Sequence, residues 1–323
     1  MIAAAKRANA PADAGLVRRW VANTTFRAAA AAGRIELHYQ PIVEQRSGRA
    51  VAAEALVRWR HPRHGLVPPG AFLPYIEGTR TERVLNRLVI DHATRQAAEW
   101  SAAGHPLQVT VNLSPPCLNG RLRDAIGVAL ERTQLSPDLL HVELTERGDA
   151  YEETTNYATA LEGIRELGVT ISLDDFGRAR SSLMRLTTLP VDALKIDRGF
   201  VTAIEDSKSA EVLRNAIQLA HTLGLTVVAE GVETVAQWHR LHDWGADFAQ
   251  GFLLSPALPA AELVPWIEGE RFDLVSALRR SRTFVERRTG FTDRRYAGDR
   301  RMPRRRSGEG LAASRPAVRL RPA

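Results

Sequence analysis

Short apolar runs, each closing on a polar or charged residue, recur along this chain. Residues 35–42 alternate apolar and polar side chains, which predicts a strand closed by Pro41. Ser47-Gly48 turns the chain, and residues 50–59 read as a second strand, so the two are expected to pair as a hairpin. A Pro- and Gly-rich loop follows, from His61 to Gly70. Strand and helix patterns then alternate. The helices fall at 83–103, 120–133, 153–167, 179–186, 209–223, 234–244 and 260–268, with strands between them at 107–113, 139–144, 169–173, 191–196, 225–229 and 248–250. An earlier helix is predicted over 16–32, ended by Gly33.

Roughly eight strands with helices between them predict an α/β fold, a TIM-like (β/α)8 barrel with an antiparallel first strand. The competing fold, a doubly wound sheet, lacks its Gly-rich phosphate fingerprint after the first strand. The expected organisation is a loose N-terminus at 1–15, one domain over 16–270 and a separate tail at 274–323.

Charge sharpens this division. Residues 274–323 hold fifteen Arg, no Lys and four acids, so the tail carries +11 of a net +7 and the body carries −4. The body therefore does not read as a nucleic-acid binder. The tail's low hydrophobicity predicts disorder, and its charge suits an acidic partner, nucleic acid or an anionic membrane surface. The plainer reading is a solvated extension. No apolar run approaches the roughly 18–20 residues of a membrane helix, and the N-terminus lacks the apolar core of a signal peptide. Cys117 is the only cysteine, which excludes an internal disulfide and fits a reducing cytoplasm.

Candidate chemistry follows from the barrel, because such folds place reactive groups where strands end. Those ends supply Gln40, Glu54, Asn112, Glu143, Asp174 with Asp175, Lys195, Glu230 and Gln250. Taken singly, each has a plainer role: Glu54 satisfied by Arg58, Asn112 capping a helix, Lys195 paired with Asp197. Structural roles do not require the same end of every strand, so the ring as a whole points to a site. Asp174 and Asp175 are adjacent, and adjacent residues on a strand face opposite ways. They share a site only if the strand ends there and turns, which Gly177 permits. Several oxygen ligands suit hard divalent ions, and two ions bridged by one Asp suit in-line attack on a phosphodiester. A lysine among the acids can orient water or neutralise a phosphate oxygen. No Ser/His/Asp set is present, and His38, His92, His141 and His221 read as packing residues.

The ordered blocks Gln40-Pro41-Ile42, Glu54-Ala55-Leu56-Val57-Arg58-Trp59, Asn112-Leu113-Ser114, Glu143-Leu144-Thr145-Glu146, Asp174-Asp175-Phe176-Gly177, Lys195-Ile196-Asp197, Glu230-Gly231-Val232-Glu233 and Gln250-Gly251-Phe252 resemble the EAL domain of bacterial cyclic di-GMP phosphodiesterases. The resemblance covers about residues 16–270. It implies hydrolysis of cyclic di-GMP to linear pGpG with two Mg²⁺ or Mn²⁺ ions. Glu54, Asn112, Glu143 and Asp174 would hold one ion, and Asp174 with Asp175 the other. Lys195 would act on the attacking water, with Glu230 and Gln250 holding waters around the ions. Gln40 and Arg58 would face the substrate, and Glu146 would anchor the loop after the Asp pair.

One departure stands out. The family usually continues Asp-Asp-Phe-Gly with Thr-Gly-Tyr-Ser-Ser, whereas this chain reads Arg178-Ala179-Arg180-Ser181-Ser182. In the family that loop supports the metal site and a homodimer contact. The departure motivates a competing reading, a catalytically weak or inactive cyclic di-GMP receptor.

Overall fold

The computed structural model describes residues 24–113, 118, 120–145, 155–176 and 183–269. Among the described residues ten strands form one sheet: β1 (Ile35–Glu44), β2 (Ala50–His61), β3 (Gly65–Val67), β4 (Gln108–Leu113), β5 (Leu140–Thr145), β6 (Thr170–Phe176), β7 (Ala193–Ile196), β8 (Thr226–Ala229), β9 (Phe248–Ala249) and β10 (Leu258–Pro259). Their order is β10-β1-β9-β8-β7-β6-β5-β4-β2-β3, and a further pairing of β1 with β2 closes the sheet. The closed barrel is therefore β1, β2 and β4–β9. β1 runs antiparallel to both neighbours, β2 and β9, while β2 and β4–β9 run parallel in turn. This is the expected TIM-like barrel with an inverted first strand, and the 35–42/50–59 hairpin is present in register from Ile35↔Trp59 to Ile42↔Ala52.

The helices are α1 (24–31), α2 (Leu73–Ile76), α3 (Arg80–Ala102), α4 (Gly120–Thr133), α5 (Thr155–Arg165), α6 (Leu183–Thr188), α7 (Arg198–Thr202), α8 (Ser207–Thr222), α9 (Val235–Trp244) and α10 (Ala260–Gly269). Each long helix turns one apolar stripe to the barrel. On α3 this is Leu85, Val89, Ile90, Ala93, Ala97 and Trp100, all buried, and each large side chain so buried stabilises the fold by about 1.5–3 kcal/mol. α3 starts three residues before the pattern predicts. Thr79 caps it by accepting from the Thr81 N–H at 3.2 Å, and the Glu82 carboxylate accepts from the Gly78 N–H at 2.7 Å. The apolar periodicity does not register such a polar first turn.

Two strand boundaries also differ from expectation. Pro41 does not close β1, which runs on to Glu44. On the flank away from β2, β10 pairs with His38 and Tyr39 and β9 with Val43 and Glu44. Pro41 falls in the gap between them, where only one flank is paired and a missing N–H is tolerated. Likewise β6 does not stop at Leu173 but continues through both aspartates to Phe176. Glu146, Gly177, the 178–182 loop, Cys117, the N-terminus and the Arg-rich tail lie outside the described residues.

The barrel interior below the mouth is polar. Gln108 Nε2 donates to Thr170 Oγ1 at 2.9 Å and to the Asp138 carbonyl at 2.8 Å, and Thr170 Oγ1 lies 2.7 Å from His141 Nδ1. Thr170 Oγ1 thus bridges Gln108 and His141. Burial, with Lys195 nearby, pushes the His141 pKa down to about 3. The folded value lies below the unfolded one, so this stability is complete above about pH 6.5 and is lost as pH falls. At pH 5 the cost is about 2 kcal/mol. Between pH 7 and pH 5 the urea stability of the native chain is expected to fall by about this amount relative to that of His141→Gln.

Candidate active site at the barrel mouth

The floor of the site is built by side chains that the parallel register sets side by side. Asn112 on β4 is paired with Glu143 on β5, Glu143 with Ser172 on β6, and Gln40 on β1 with Glu54 on β2. Lys195, 1% exposed, sits among them. Its Nζ is 2.7 Å from Glu143 Oε2, 2.5 Å from Glu230 Oε1, 3.6 Å from Asp174 Oδ1 and 3.9 Å from Glu54 Oε2. Glu54 is fixed from two further sides: Asn112 Nδ2 donates to its Oε1 at 2.6 Å, and Gln250 Nε2 donates to its Oε2 at 2.6 Å. Gln250 Nε2 also reaches Gln40 Oε1 at 2.9 Å, and Gln40 Nε2 donates to the Ser255 carbonyl at 2.9 Å.

The two aspartates meet the mouth by a bulge within β6. The pairing of β6 with β7 slips between Leu173 and Phe176, and Asp175 takes φ +59°, a conformation uncommon outside glycine. The kink thus falls on Asp175 itself, where the sequence suggested a strand end and a turn at Gly177. The Asp175 N–H, next in the chain, draws the Asp174 pKa down, though less than the neighbouring acids and burial raise it. The close contacts of Glu54 and Lys195 are made elsewhere than with these plainer partners, although Arg58 still feels the Glu54 charge. Arg58, the expected partner of Glu54, donates to the Val57 carbonyl at 3.0 Å, and Asp197 caps α7 by accepting from the Gly199 N–H at 2.8 Å.

Four carboxylates around one ammonium leave surplus negative charge in a buried space. Burial alone would lower the Lys195 pKa, but Asp174, Glu143, Glu230 and Glu54 together hold it well above that of an ordinary lysine. Desolvation and mutual repulsion push Glu143 and Asp174 up, and Glu230 up to about 8, against the opposing pull of Lys195. For Glu54 burial also acts upward, but Lys195 and the donated amide hydrogens leave it below the usual carboxylate value. The surplus is met by protons or by cations.

Whether this donor set suits divalent ions is decided by its unpartnered atoms. Glu143 Oε1, Asp174 Oδ1 and Gln250 Oε1 are buried acceptors without a hydrogen bond, and hard cations take such oxygens. Among the described residues no three His, Cys, Asp or Glu side chains form a ready cage; the Lys195 ammonium stands between the carboxylates. The oxygens fit the ions in kind and charge.

Above this floor opens a cleft of about 250 Å³, lined among others by Gln40, Glu54, Leu56, Asp174 and Gln250. Arg58 is not among the lining residues. Arg198, Glu233 and Phe252 are, and the sequence reading assigned them no role. Glu233 and Phe252 stand just beyond Glu230 and Gln250 in their motifs, which is the signal that could have found them. The two loops that carry them are clasped together. The Val232 N–H donates to the Gln250 carbonyl at 3.0 Å, and the Leu253 N–H to the Val232 carbonyl at 2.9 Å.

The closed barrel thus holds a buried acid ring and a central lysine beneath an open cleft. The EAL domain family model matches residues 23–257, and the chain belongs to that family. It is 42% identical over 234 residues to the bifunctional diguanylate cyclase/cyclic di-GMP phosphodiesterase MucR of Pseudomonas aeruginosa, covering 72% of this chain and 34% of that protein. It is 40% identical over 249 residues to the cyclic di-GMP phosphodiesterase NbdA of the same organism, covering 76% and 32%. The chain thus spans about a third of the length of these curated relatives. Among solved structures, the MucR phosphodiesterase in complex with cyclic di-GMP matches with a TM-score of 0.69 at 41% identity, covering 73% of this chain and 97% of that one. The EAL enzyme Bd1971 bound to cAMP and cyclic di-GMP matches with a TM-score of 0.74 at 30% identity, covering 78% and 70%. Among the described residues no helix is long and apolar enough to cross a membrane.

Proposed function

We propose that this chain is a metal-dependent phosphodiesterase that hydrolyses cyclic di-GMP to linear pGpG. The observation that carries the reading is Lys195 buried at the centre of Glu54, Glu143, Asp174 and Glu230, directly beneath an open cleft. A buried cation so enclosed costs desolvation, which a purely structural role would avoid with apolar residues. Glu54, Asn112, Glu143, Asp174 and Asp175 would hold two Mg²⁺ or Mn²⁺ ions. When bound, the ions supply Lewis-acid polarisation of the phosphodiester and stabilise its developing charge.

The remaining roles belong to the chain. Lys195 orients the attacking water through its ammonium hydrogens. The water oxygen forms a bond to phosphorus, and the P–O3′ bond breaks with its electron pair on O3′, which takes a proton from bulk water. The proton leaving the water goes to the Glu230 carboxylate, which contacts Lys195 Nζ at 2.5 Å. Gln250 and Asn112 keep Glu54 in one orientation, and Gln40 lines the substrate side of the cleft.

The test is a product assay on the purified chain with added Mg²⁺ or Mn²⁺. Linear pGpG is expected, and chelation with EDTA is expected to lower its formation at least tenfold, with recovery on metal readdition. Folded protein that forms no pGpG with either metal overturns the proposal, and binding without hydrolysis would support the receptor reading.

A further inference from the structure

The layer directly beneath the mouth joins unpartnered polar groups to small side chains. Residues two apart on a strand face the same way, so each inward residue of the acid ring has another inward residue one step deeper. Below Asn112, Glu143 and Asp174 stand Thr110, His141 and Ser172, on the consecutive strands β4, β5 and β6. All three are wholly buried. Each has a polar atom without a hydrogen bond: Thr110 Oγ1, His141 Nε2 and Ser172 Oγ. The rest of the layer is small: Ala52 lies below Glu54 and Ala193 below Lys195, and both are buried. Thr110 is the register partner of Glu54 and of His141, and Ser172 that of Glu143 and of Ala193.

A buried hydroxyl left without a partner destabilises a fold, and valine or alanine would fill the same space without that cost. Hydroxyls kept at both positions, facing an unpartnered ring nitrogen on the strand between them, point to a shared ligand. The alanines leave space beside them, and three polar atoms are within the usual coordination of a buried water, about two to four partners. A cation is disfavoured there, because the Lys195 ammonium already acts on His141. We propose that Thr110, His141 and Ser172 bind one buried water molecule, and that through it Thr110 and Ser172 are positioning residues for the acids beside and above them. With their hydroxyls tied to one water, the two side chains keep one rotamer each. They present a fixed wall to Glu54 and Glu143, which are the acids that would hold the ions in the function proposed above, and the positioning role rests on that reading. The water site itself rests only on the unpartnered atoms and the register.

Urea unfolding of the full chain reads the site through its coupling. For Thr110→Val and for Ser172→Ala, both close in shape to the native residue, the unfolding constant is expected to rise about tenfold, because the water and the groups left around it lose a partner. In the double variant the rise is expected to stay well short of the roughly hundredfold that independent sites give, because the first substitution has already released the water. β4 and β6 are two strands apart, about 10 Å, so the hydroxyls couple only through what lies between them. A crystal structure of the native chain is expected to show one ordered water within hydrogen-bond distance of all three atoms. Additive effects, single variants at least as stable as the native chain, or no water on these atoms would overturn the site. Mn²⁺ binding, followed by electron paramagnetic resonance, is expected to weaken about tenfold in each single variant, the size usual for groups that orient metal ligands. Equal Mn²⁺ affinity in native and variant chains overturns the positioning role. Native chain that binds no Mn²⁺ counts against the metal-dependent reading and with it the positioning role, while the urea coupling and the crystal structure still decide the water site.

Discussion

Lys195→Met is expected to reduce pGpG formation by about 10²- to 10⁴-fold, the effect typical of a positioned proton-handling or charge-stabilising group. The side chain is nearly isosteric, so packing is kept while the ammonium is removed from Glu143 at 2.7 Å and Glu230 at 2.5 Å. Stability should fall as well, by about 3–5 kcal/mol, because breaking a buried ion pair leaves charge uncompensated. The sign of its pH dependence is fixed. Without Lys195 the folded pKa values of these carboxylates rise further above the unfolded value of about 4.3. The extra penalty is therefore absent while these groups stay protonated in both folded chains and grows as pH rises above their native folded values. Thermal unfolding should show the gap between variant and native chain widening above about pH 8, where Glu230 ionises in the native chain and not in the variant. Turnover by the variant within tenfold of the native rate would remove Lys195 from the mechanism.

Gly251→Ala is the second large effect, and it acts through geometry. A Cβ at Gly251 would lie 2.2 Å from the Val232 carbonyl oxygen, 2.3 Å from its nitrogen and 2.7 Å from its carbonyl carbon. All three are backbone atoms, so no rotamer relieves the contact and the two clasped loops must part. Overpacking of this kind costs about 1–3 kcal/mol. Gln250 precedes this glycine and donates to Glu54 at 2.6 Å, so parting the loops draws Gln250 away from the acid it orients. We expect hydrolysis to fall more than tenfold in protein that still folds by circular dichroism. Gly269→Ala, where nothing lies within 4 Å, is the control and should be silent in both measurements. Native activity in Gly251→Ala would show that the clasp does not position Gln250.

The barrel was legible because its evidence is periodic. Alternating strands and helices each bury one face, and the register of β4, β5 and β6 then forces Asn112 beside Glu143 and Glu143 beside Ser172. Glu54 and Lys195 could be read for the same reason, as polar residues interrupting apolar strands, and Glu230 as the residue directly after one. Features that depend on non-periodic contacts were not legible. The Asp175 kink is a single backbone angle, and Pro41 is accommodated by a gap between two strands more than 200 residues further along. Glu233 and Phe252 lie on connecting loops and Arg198 on the first position of the short α7, where exposure to the cleft follows from how the segments pack and leaves no pattern along the chain. Arg58 shows the converse. Its place in a motif suggested the cleft, while its guanidinium turns to the carbonyl of its neighbour Val57.

The inverted first strand also governs when the pocket comes into being. β1 is closed against β9, and Gln40 and Gln250 are joined across 210 residues. Such distant closure is slow because loop entropy is spent before the contacts reward it. During synthesis, Glu54 therefore waits for nearly the whole domain to leave the ribosome before Gln250 arrives. A nascent chain halted short of position 250 would display an unsealed seam between its first and last strands, a binding edge for chaperones.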